Sequence, residues 1–176
     1  MQLTRKNILI TGIPGVGKTT LIKRLAESLE SLHPAGFYTQ EIREAGVRKG
    51  FELAAFDGRK GVLSHVDINS PLRVGKYRVD VAGFEGFLDA IDFLNPATGV
   101  IIVDEIGKME CLSEKFQNLL KQVLDSDKLV IATIALKGGG AIADTKRRRD
   151  VTLFEITKRN RDSLLSEILA LLDKRQ

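Results

Sequence analysis

The sequence predicts an α/β fold built on a doubly wound, mostly parallel β-sheet with right-handed crossovers. Apolar, largely β-branched runs at 7–11, 99–103 and 129–136 have the composition of strands that are covered on both faces. Leucine, isoleucine and phenylalanine recur at helical spacing between these runs. Strands that alternate with helices in this way form parallel sheets with helices on both sides. Helices are predicted at 84–94, around 116–124 and at 160–172, and a last strand at 151–156.

The segment at about 36–66 departs from this alternation. It contains short β-rich pieces at 37–42 and 51–56, separated by Ala-Gly and Asp-Gly turns. These features predict an antiparallel β-hairpin inserted after the first helix. The segment at 137–150 is glycine-rich and then basic, which predicts a loop or mobile segment.

The length and composition indicate one domain, 1–176, that buries its core without disulfides. Hydrophobic residues make up 43% of the chain, yet no apolar run approaches the ~20 residues that span a bilayer. The first residues lack the pattern of a secretory signal. Cys111 is the only cysteine, and we expect it to be an inert side chain. These observations predict a soluble cytoplasmic protein with no membrane association.

The formal net charge of +4 suits a protein with polyanionic ligands but is mild for a nucleic-acid binder. Aromatic residues are only 6% of the chain, so few side chains could stack on the bases of a single strand. Nucleic acid is therefore not the expected partner.

Residues 12–19 match the phosphate-loop pattern G-x-x-x-x-G-K-[ST] in full. They follow a predicted strand and begin a predicted helix, where backbone N–H groups and the helix dipole can bind phosphate. We expect Lys18 to act in catalysis on the β- and γ-phosphates, Thr19 to bind Mg²⁺ and Thr20 to lie near the α-phosphate. The predicted nucleotide-binding residues of this loop are Gly12, Ile13, Pro14, Gly15, Val16, Gly17, Lys18, Thr19 and Thr20.

An Asp-Glu pair follows the predicted strand at 99–103. A carboxylate in this position commonly completes the magnesium site of a phosphate-loop protein, so Asp104 is the second predicted metal residue. Glu105 is the candidate base that orients the attacking water. Because strands often end in polar residues, the Asp-Glu pair indicates a magnesium site only together with the phosphate loop. The predicted nucleotide-binding set here is Val103, Asp104, Glu105, Ile106 and Gly107.

With both motifs in view, the chain resembles the family of small nucleoside-triphosphatases of thermophilic bacteria, archaea and animals, whose human member is called cancer-related nucleoside-triphosphatase. The resemblance rests on residues 12–20, on 36–43 with 48–51, on 103–110, which include Asp-Glu-Ile-Gly-Lys-Met-Glu, and on 153–157 with 160–161. It implies slow, Mg²⁺-dependent hydrolysis of ATP, GTP, CTP and UTP with little base preference. It also implies a RecA-like sheet, in which one strand separates the phosphate-loop strand from the Asp-Glu strand.

The basic run that begins at Lys146 has two readings. Arg147, Arg148 and Arg149 could form a phosphate-clamping lid, as in nucleotide kinases, or a solvated basic loop. The weaker candidates have an ordinary structural explanation as well as a functional one. Lys108 and Glu110 could form a surface ion pair, and Glu41 and Arg43 could lie on a solvent-exposed strand face. His33 and His65 could be surface histidines, and Asn160, near Thr157 and Arg161, could cap a helix.

Three functions remain open from the sequence. The first is a nucleoside-triphosphate phosphohydrolase, in which Glu105 activates water. The second is a nucleotide or nucleoside kinase that uses the basic run as a lid and the hairpin insert as its acceptor site. The third is a nucleotide-dependent switch associated with RNA. The sequence carries no indication of oligomeric state.

Overall fold

The computed structural model describes residues 6–174. The segment at 1–5, which bears on the expected absence of a secretory signal, lies outside the described residues. The strands are β1 (Asn7–Thr11), β2 (Ala35–Glu44), β3 (Val47–Ala55), β4 (Lys60–His65), β5 (Arg73–Val74), β6 (Tyr77–Val79), β7 (Val100–Ile106), β8 (Leu129–Ile134) and β9 (Val151–Glu155). The α-helices are α1 (Lys18–Ser28), α2 (Val81–Asp89), α3 (Glu114–Asp125), α4 (Ala141–Lys146) and α5 (Leu164–Asp173).

Within residues 6–174 the strands form one mixed sheet in the order β5-β6-β4-β3-β2-β7-β8-β1-β9. In one half of the sheet, β2-β7-β8-β1-β9, every strand is parallel to its neighbours, and β8 lies between β1 and β7. This arrangement confirms the expected strand between the phosphate-loop strand and the Asp-Glu strand.

The other half of the sheet, from β2 to β5, is antiparallel. The predicted hairpin is present as β2 and β3, but the antiparallel part also includes three further short strands. Short connections, such as the two-residue link between β2 and β3, can join only antiparallel neighbours. The sheet is therefore mixed rather than mostly parallel. β2 belongs to both halves, because its first residues pair with β7 and the rest of its length pairs with β3.

The sheet is covered on both faces, as a doubly wound fold requires. Apolar residues of α1 and α5 share one buried cluster with Ile8 and Ile10 of β1. Apolar residues of α2, α3 and α4 share the other cluster with Leu9. Because successive strand residues face opposite sides, a continuous apolar run such as β1 contributes to both clusters. No helix within residues 6–174 is long and apolar enough to cross a membrane.

Several predicted boundaries were wrong for physical reasons. Helix α2 ends at Asp89, and the apolar residues beyond it, Ile91 and Phe93, are buried in an irregular turn. The segment predicted as a loop at 137–150 contains α4, which Ile142 anchors in the core. Helix α5 begins only at Leu164, because the chain before it forms turns.

Candidate active site

The phosphate loop connects the end of β1 to the start of α1. Gly17 precedes the helix at φ 118°, a left-handed conformation that glycine adopts without strain. A Cβ at Gly12 would lie 2.6 Å from the carbonyl oxygen of Ile156, so a side chain has no room there. Val16 is buried, whereas Ile13, Pro14 and Gly15 are exposed. The glycines thus allow a close backbone turn whose outer surface is open to a ligand.

Asp104 is the buried centre of a hydrogen-bond network at the carboxyl edge of β7. The Thr19 hydroxyl donates to its Oδ2 at 2.7 Å, and the Thr133 hydroxyl donates to its Oδ1 at 2.6 Å. The backbone N–H of Thr39 also donates to Oδ2, at 3.4 Å. Burial raises the pKa of Asp104, and these donors partly oppose that rise. The network holds the carboxylate against the first turn of α1.

Glu105 lies beside Asp104 but is more open, with 31% of its side chain exposed. Its Oε2 is 3.9 Å from Lys18 Nζ, and Lys18 Nζ also donates to the carbonyl oxygen of Gly12 at 2.9 Å. Burial raises the pKa of Glu105, Lys18 lowers it and Asp104 raises it. The structure therefore brings together the two residues predicted to be catalytic. β7 continues through Asp104 and Glu105 to Ile106, although the sequence predicted that it would end at this pair.

Glu110 differs from the surface residue that one reading of the sequence suggested. It is 5% exposed and lies in a 3-10 turn after β7, while Lys108 is exposed. A Cβ at Gly107 would lie 2.9 Å from Glu110 Oε2 and 3.0 Å from Glu105 Oε1, so both carboxyl groups flank this glycine. Burial first, and then the charge of Glu105, raise the pKa of Glu110 to about 8. Both effects favour the neutral form of Glu110, which lies next to the active-site carboxylates.

The arginines of the predicted lid do not act as a unit. Arg148 donates to Asp125 Oδ1 at 2.8 Å and to Asp150 Oδ2 at 2.7 Å. Asp150 Oδ2 also accepts from Asn7, the first residue of β1. The phosphate loop follows the opposite end of β1, so these contacts hold Arg148 at the other edge of the sheet from the phosphate loop. Arg147 and Arg149 are exposed, and Arg147 is paired with Asp144.

The weaker candidates of the hairpin form an ion-pair cluster among themselves. Glu41 bridges Arg43 and Arg48, and Arg48 also donates to the Tyr77 hydroxyl at 2.7 Å. These contacts lower the pKa of Glu41, first through its hydrogen bond from Arg48. The cluster connects β2, β3 and β6 of the antiparallel half of the sheet.

The histidines and the loop after β9 have structural surroundings. His33 is exposed, and His65 lies near Glu44 and Asp67. No group of three or more His, Cys, Asp or Glu side chains within residues 6–174 could hold a metal ion. Asn160 Oδ1 accepts from the Thr157 backbone at 2.7 Å, so Asn160 holds a turn after β9 rather than capping α5.

Sequence reasoning missed Thr133 and Thr39 as partners of Asp104. Thr133 is the polar residue within an otherwise apolar β8, so its position in the run was a usable signal. Thr39 donates to Asp104 through its backbone N–H, and this contact depends on the pairing of β2 with β7. No local sequence pattern predicts that pairing.

Comparison with known proteins shows that the chain is similar to nucleoside-triphosphatases. A family model described as NTPase matches residues 7–169. The nucleoside-triphosphatase THEP1 of Thermotoga maritima is 47% identical over 166 residues, which cover 94% of each chain. The cancer-related nucleoside-triphosphatase of Homo sapiens is 37% identical over 180 residues, which cover 93% of this chain and 95% of the human one. The crystal structure of THEP1 from Aquifex aeolicus superposes with a TM-score of 0.81 at 37% identity, covering 94% of this chain and 98% of that one.

Proposed function

The chain belongs to the NTPase_1 family of NTPases, and on that premise we propose that it is a nucleoside-triphosphatase that hydrolyses ATP, GTP, CTP and UTP with Mg²⁺. It is an enzyme, as its curated relatives are by name. The observation that carries the proposal is the contact between the phosphate loop and the Asp-Glu pair. Thr19 hydrogen-bonds Asp104, and Lys18 lies 3.9 Å from Glu105.

The phosphate loop binds the triphosphate in this proposal. The backbone N–H groups of the phosphate loop, which Pro14 lacks, and the N-terminus of α1 provide a site for anionic oxygens. Lys18 carries a cation at the same place, and its ammonium can leave the Gly12 carbonyl for the β- and γ-phosphates. Val103 and Ile106, on either side of the Asp-Glu pair in β7, are buried in the core.

The residues present fit a magnesium ion. Thr19 and Asp104 offer a hydroxyl and a carboxylate, the hard oxygen ligands that Mg²⁺ prefers, and their oxygens are already 2.7 Å apart. Thr133 holds the other carboxylate oxygen, so Asp104 can keep its orientation when Thr19 changes partner. Bound Mg²⁺ would neutralise charge on the β- and γ-phosphates.

Glu105 is the residue that handles water. It is partly exposed beside Lys18, and burial raises its pKa, so its basicity is stronger than that of an ordinary glutamate. In the proposed reaction Glu105 orients a water molecule and takes its proton as the oxygen attacks the γ-phosphorus. The bond from phosphorus to the β-phosphate oxygen breaks, and the electron pair leaves with the diphosphate.

The competing functions have less support from the geometry. The kinase hypothesis needed the arginine run as a phosphate clamp, and Arg148 instead pairs with Asp125 and Asp150 at the opposite edge of the sheet. In the hairpin, which the kinase hypothesis took as the acceptor site, Glu41 is paired with Arg43 and Arg48. No described feature favours an RNA-associated switch.

Phosphate release from the purified protein tests the proposal. The assay uses each of the four nucleoside triphosphates with Mg²⁺, first without an acceptor and then with nucleosides, nucleotides and RNA. The proposal expects acceptor-independent release that EDTA abolishes. Phosphate transfer that requires a nucleoside or nucleotide would identify a kinase, and release that occurs only with RNA would identify an RNA-dependent switch.

A further inference from the structure

Lys146 directs its charge back toward the phosphate-loop edge of the sheet. Helix α4 leads from the carboxyl end of β8 to the amino end of β9, and Lys146 is its last residue. Its Nζ nevertheless donates to the carbonyl oxygen of Leu136 at 2.8 Å. Leu136 lies two residues beyond β8, so the lysine side chain extends back along the helix to the edge where β8 ends.

This end of β8 is part of the active site. The Thr133 hydroxyl donates to Asp104 Oδ1, and the Ala135 backbone N–H donates to the carbonyl oxygen of Ile106 at 3.0 Å. β8 also pairs with β1, which leads into the phosphate loop. The Lys146 ammonium therefore lies at the edge where the phosphate loop and the Asp-Glu pair meet.

The charges of Lys146 and Glu105 act on each other. Burial lowers the pKa of Lys146, and the charge of Glu105 raises it. Lys146 in turn lowers the pKa of Glu105, as Lys18 does more strongly. Among the described residues, Leu136 provides the one hydrogen-bond acceptor of the Lys146 ammonium, which has three donors. Two donors thus remain for a ligand at this edge.

We propose that Lys146 is a second catalytic cation, which contacts the γ-phosphate of the bound triphosphate next to Glu105. The inference rests on the proposed function and deepens it. Negative charge on the γ-phosphate oxygens must be stabilised during phosphoryl transfer, and a cation held at this position does so without forming or breaking a bond. Lys18 serves the phosphate-loop side of the γ-phosphate, and Lys146 serves the side of β8. Of the four consecutive basic residues, Lys146 is thus the one that works in catalysis.

Charge-removing variants test this role. Lys146→Met keeps the alkyl chain and removes the ammonium, and Lys146→Arg keeps the charge. Arg147→Met is the matched control, because it removes the same charge from the adjacent, exposed residue. We expect kcat to fall about 10²-fold in Lys146→Met, to recover to within about tenfold of the parent in Lys146→Arg, and to stay within about twofold in Arg147→Met. A kcat within twofold of the parent in Lys146→Met would overturn the inference and leave the proposed function standing.

Nucleotide affinity separates a γ-phosphate contact from a structural role. Lys146→Met should weaken binding of a non-hydrolysable triphosphate by about fivefold or more while leaving diphosphate affinity unchanged. Equal weakening of both ligands would mean that the lysine only holds the loop at Leu136, and the inference would be wrong. Lys146→Gln, which can still donate a hydrogen bond, replaces Lys146→Met if the latter folds poorly. This binding test also decides the inference if the parent releases no phosphate, an outcome that would refute only the proposed function.

Discussion

The Thr19 hydroxyl hydrogen-bonds Asp104 Oδ2 at 2.7 Å, so the phosphate loop and the carboxylate of β7 are in direct contact. These residues are 85 positions apart in the chain, and in the sheet β8 separates β7 from β1, the strand that leads into the phosphate loop. Thr133 of β8 holds the other oxygen of the same carboxylate. The three strands β1, β8 and β7 therefore cooperate to place one charged group.

Asp104→Asn should weaken magnesium-dependent nucleotide binding. Asparagine nearly preserves the size of the side chain and removes the charge that a divalent cation requires. We expect the affinity for triphosphate in the presence of Mg²⁺ to fall by about 10–100-fold, and the affinity in EDTA to change little. Titration of a fluorescent triphosphate with and without Mg²⁺ measures both. Unchanged affinity with Mg²⁺ would remove Asp104 from the metal site.

Glu105→Gln should reduce hydrolysis and spare binding. Glutamine keeps the size of the side chain and one acceptor oxygen but cannot take a proton from water. We expect kcat to fall by about 10²–10⁴-fold, while triphosphate affinity stays equal or rises because a negative charge has left the vicinity of the γ-phosphate. Single-turnover phosphate release and equilibrium binding separate the two effects. Parental turnover would rule out Glu105 as the base.

Lys18→Ala should lower both affinity and turnover. Within the described residues the Lys18 ammonium hydrogen-bonds only to carbonyl oxygens of its own loop and pairs with Glu105, and Lys18 belongs to neither apolar cluster, so its loss removes a phosphate ligand without opening the core. Circular dichroism should be unchanged. A folded variant that binds and hydrolyses triphosphate as well as the parent would contradict the assignment.

The sequence was most informative where chemistry and position coincide within a few residues. The phosphate loop and the pair Asp104 and Glu105 each follow an apolar strand directly, so a local pattern identified them. The contact of Lys146 with Leu136 was not predictable, because four consecutive basic residues offer the same chemistry to any acidic site. The structure shows that the two side chains reach opposite edges of the sheet. Lys146 extends back along α4 to Leu136, whereas Arg148 pairs with Asp125.

The antiparallel half of the sheet was predicted only in part for a related reason. β5 and β6 contain two and three residues, too few for any periodicity to register. The place of β6 is set by its pairing with β4, and the place of β5 by its pairing with β6. Conversely, the helical spacing at 84–94 predicted α2 but extended it too far, since Phe93 is buried without being helical.

Arg148→Ala should destabilise the fold and leave catalysis largely intact. Arg148 binds Asp125 and Asp150 with its side chain only 25% exposed, whereas the Arg147 side chain is 74% exposed. We expect a loss of about 1–2 kcal/mol in the free energy of unfolding for Arg148→Ala and at most about 0.5 kcal/mol for Arg147→Ala. Urea unfolding measures both. Equal effects of the two variants would refute the structural role of Arg148.

Glu110→Gln should change how stability depends on pH. The pKa of Glu110 is about 8 in the folded protein, against an ordinary value of 4.5, because burial and the nearby Glu105 disfavour the charged form. Between these two values the folded state holds a proton that the unfolded state has released. Ionisation therefore favours unfolding, and the contribution of Glu110 to stability falls as pH rises through this window.

Glutamine cannot ionise, so the variant lacks this contribution while the other titrating groups remain in both proteins. Relative to Glu110→Gln, we expect the parent to lose up to about 1.4 kcal/mol of unfolding free energy for each pH unit between 4.5 and 8. The difference should be constant below the window, where both states are protonated, and above it, where both are ionised. Urea unfolding of the two proteins at about pH 5, 6.5 and 8 measures this difference. A difference that does not vary with pH would mean that Glu110 is ionised in the folded protein, and that its charge is compensated beside Glu105.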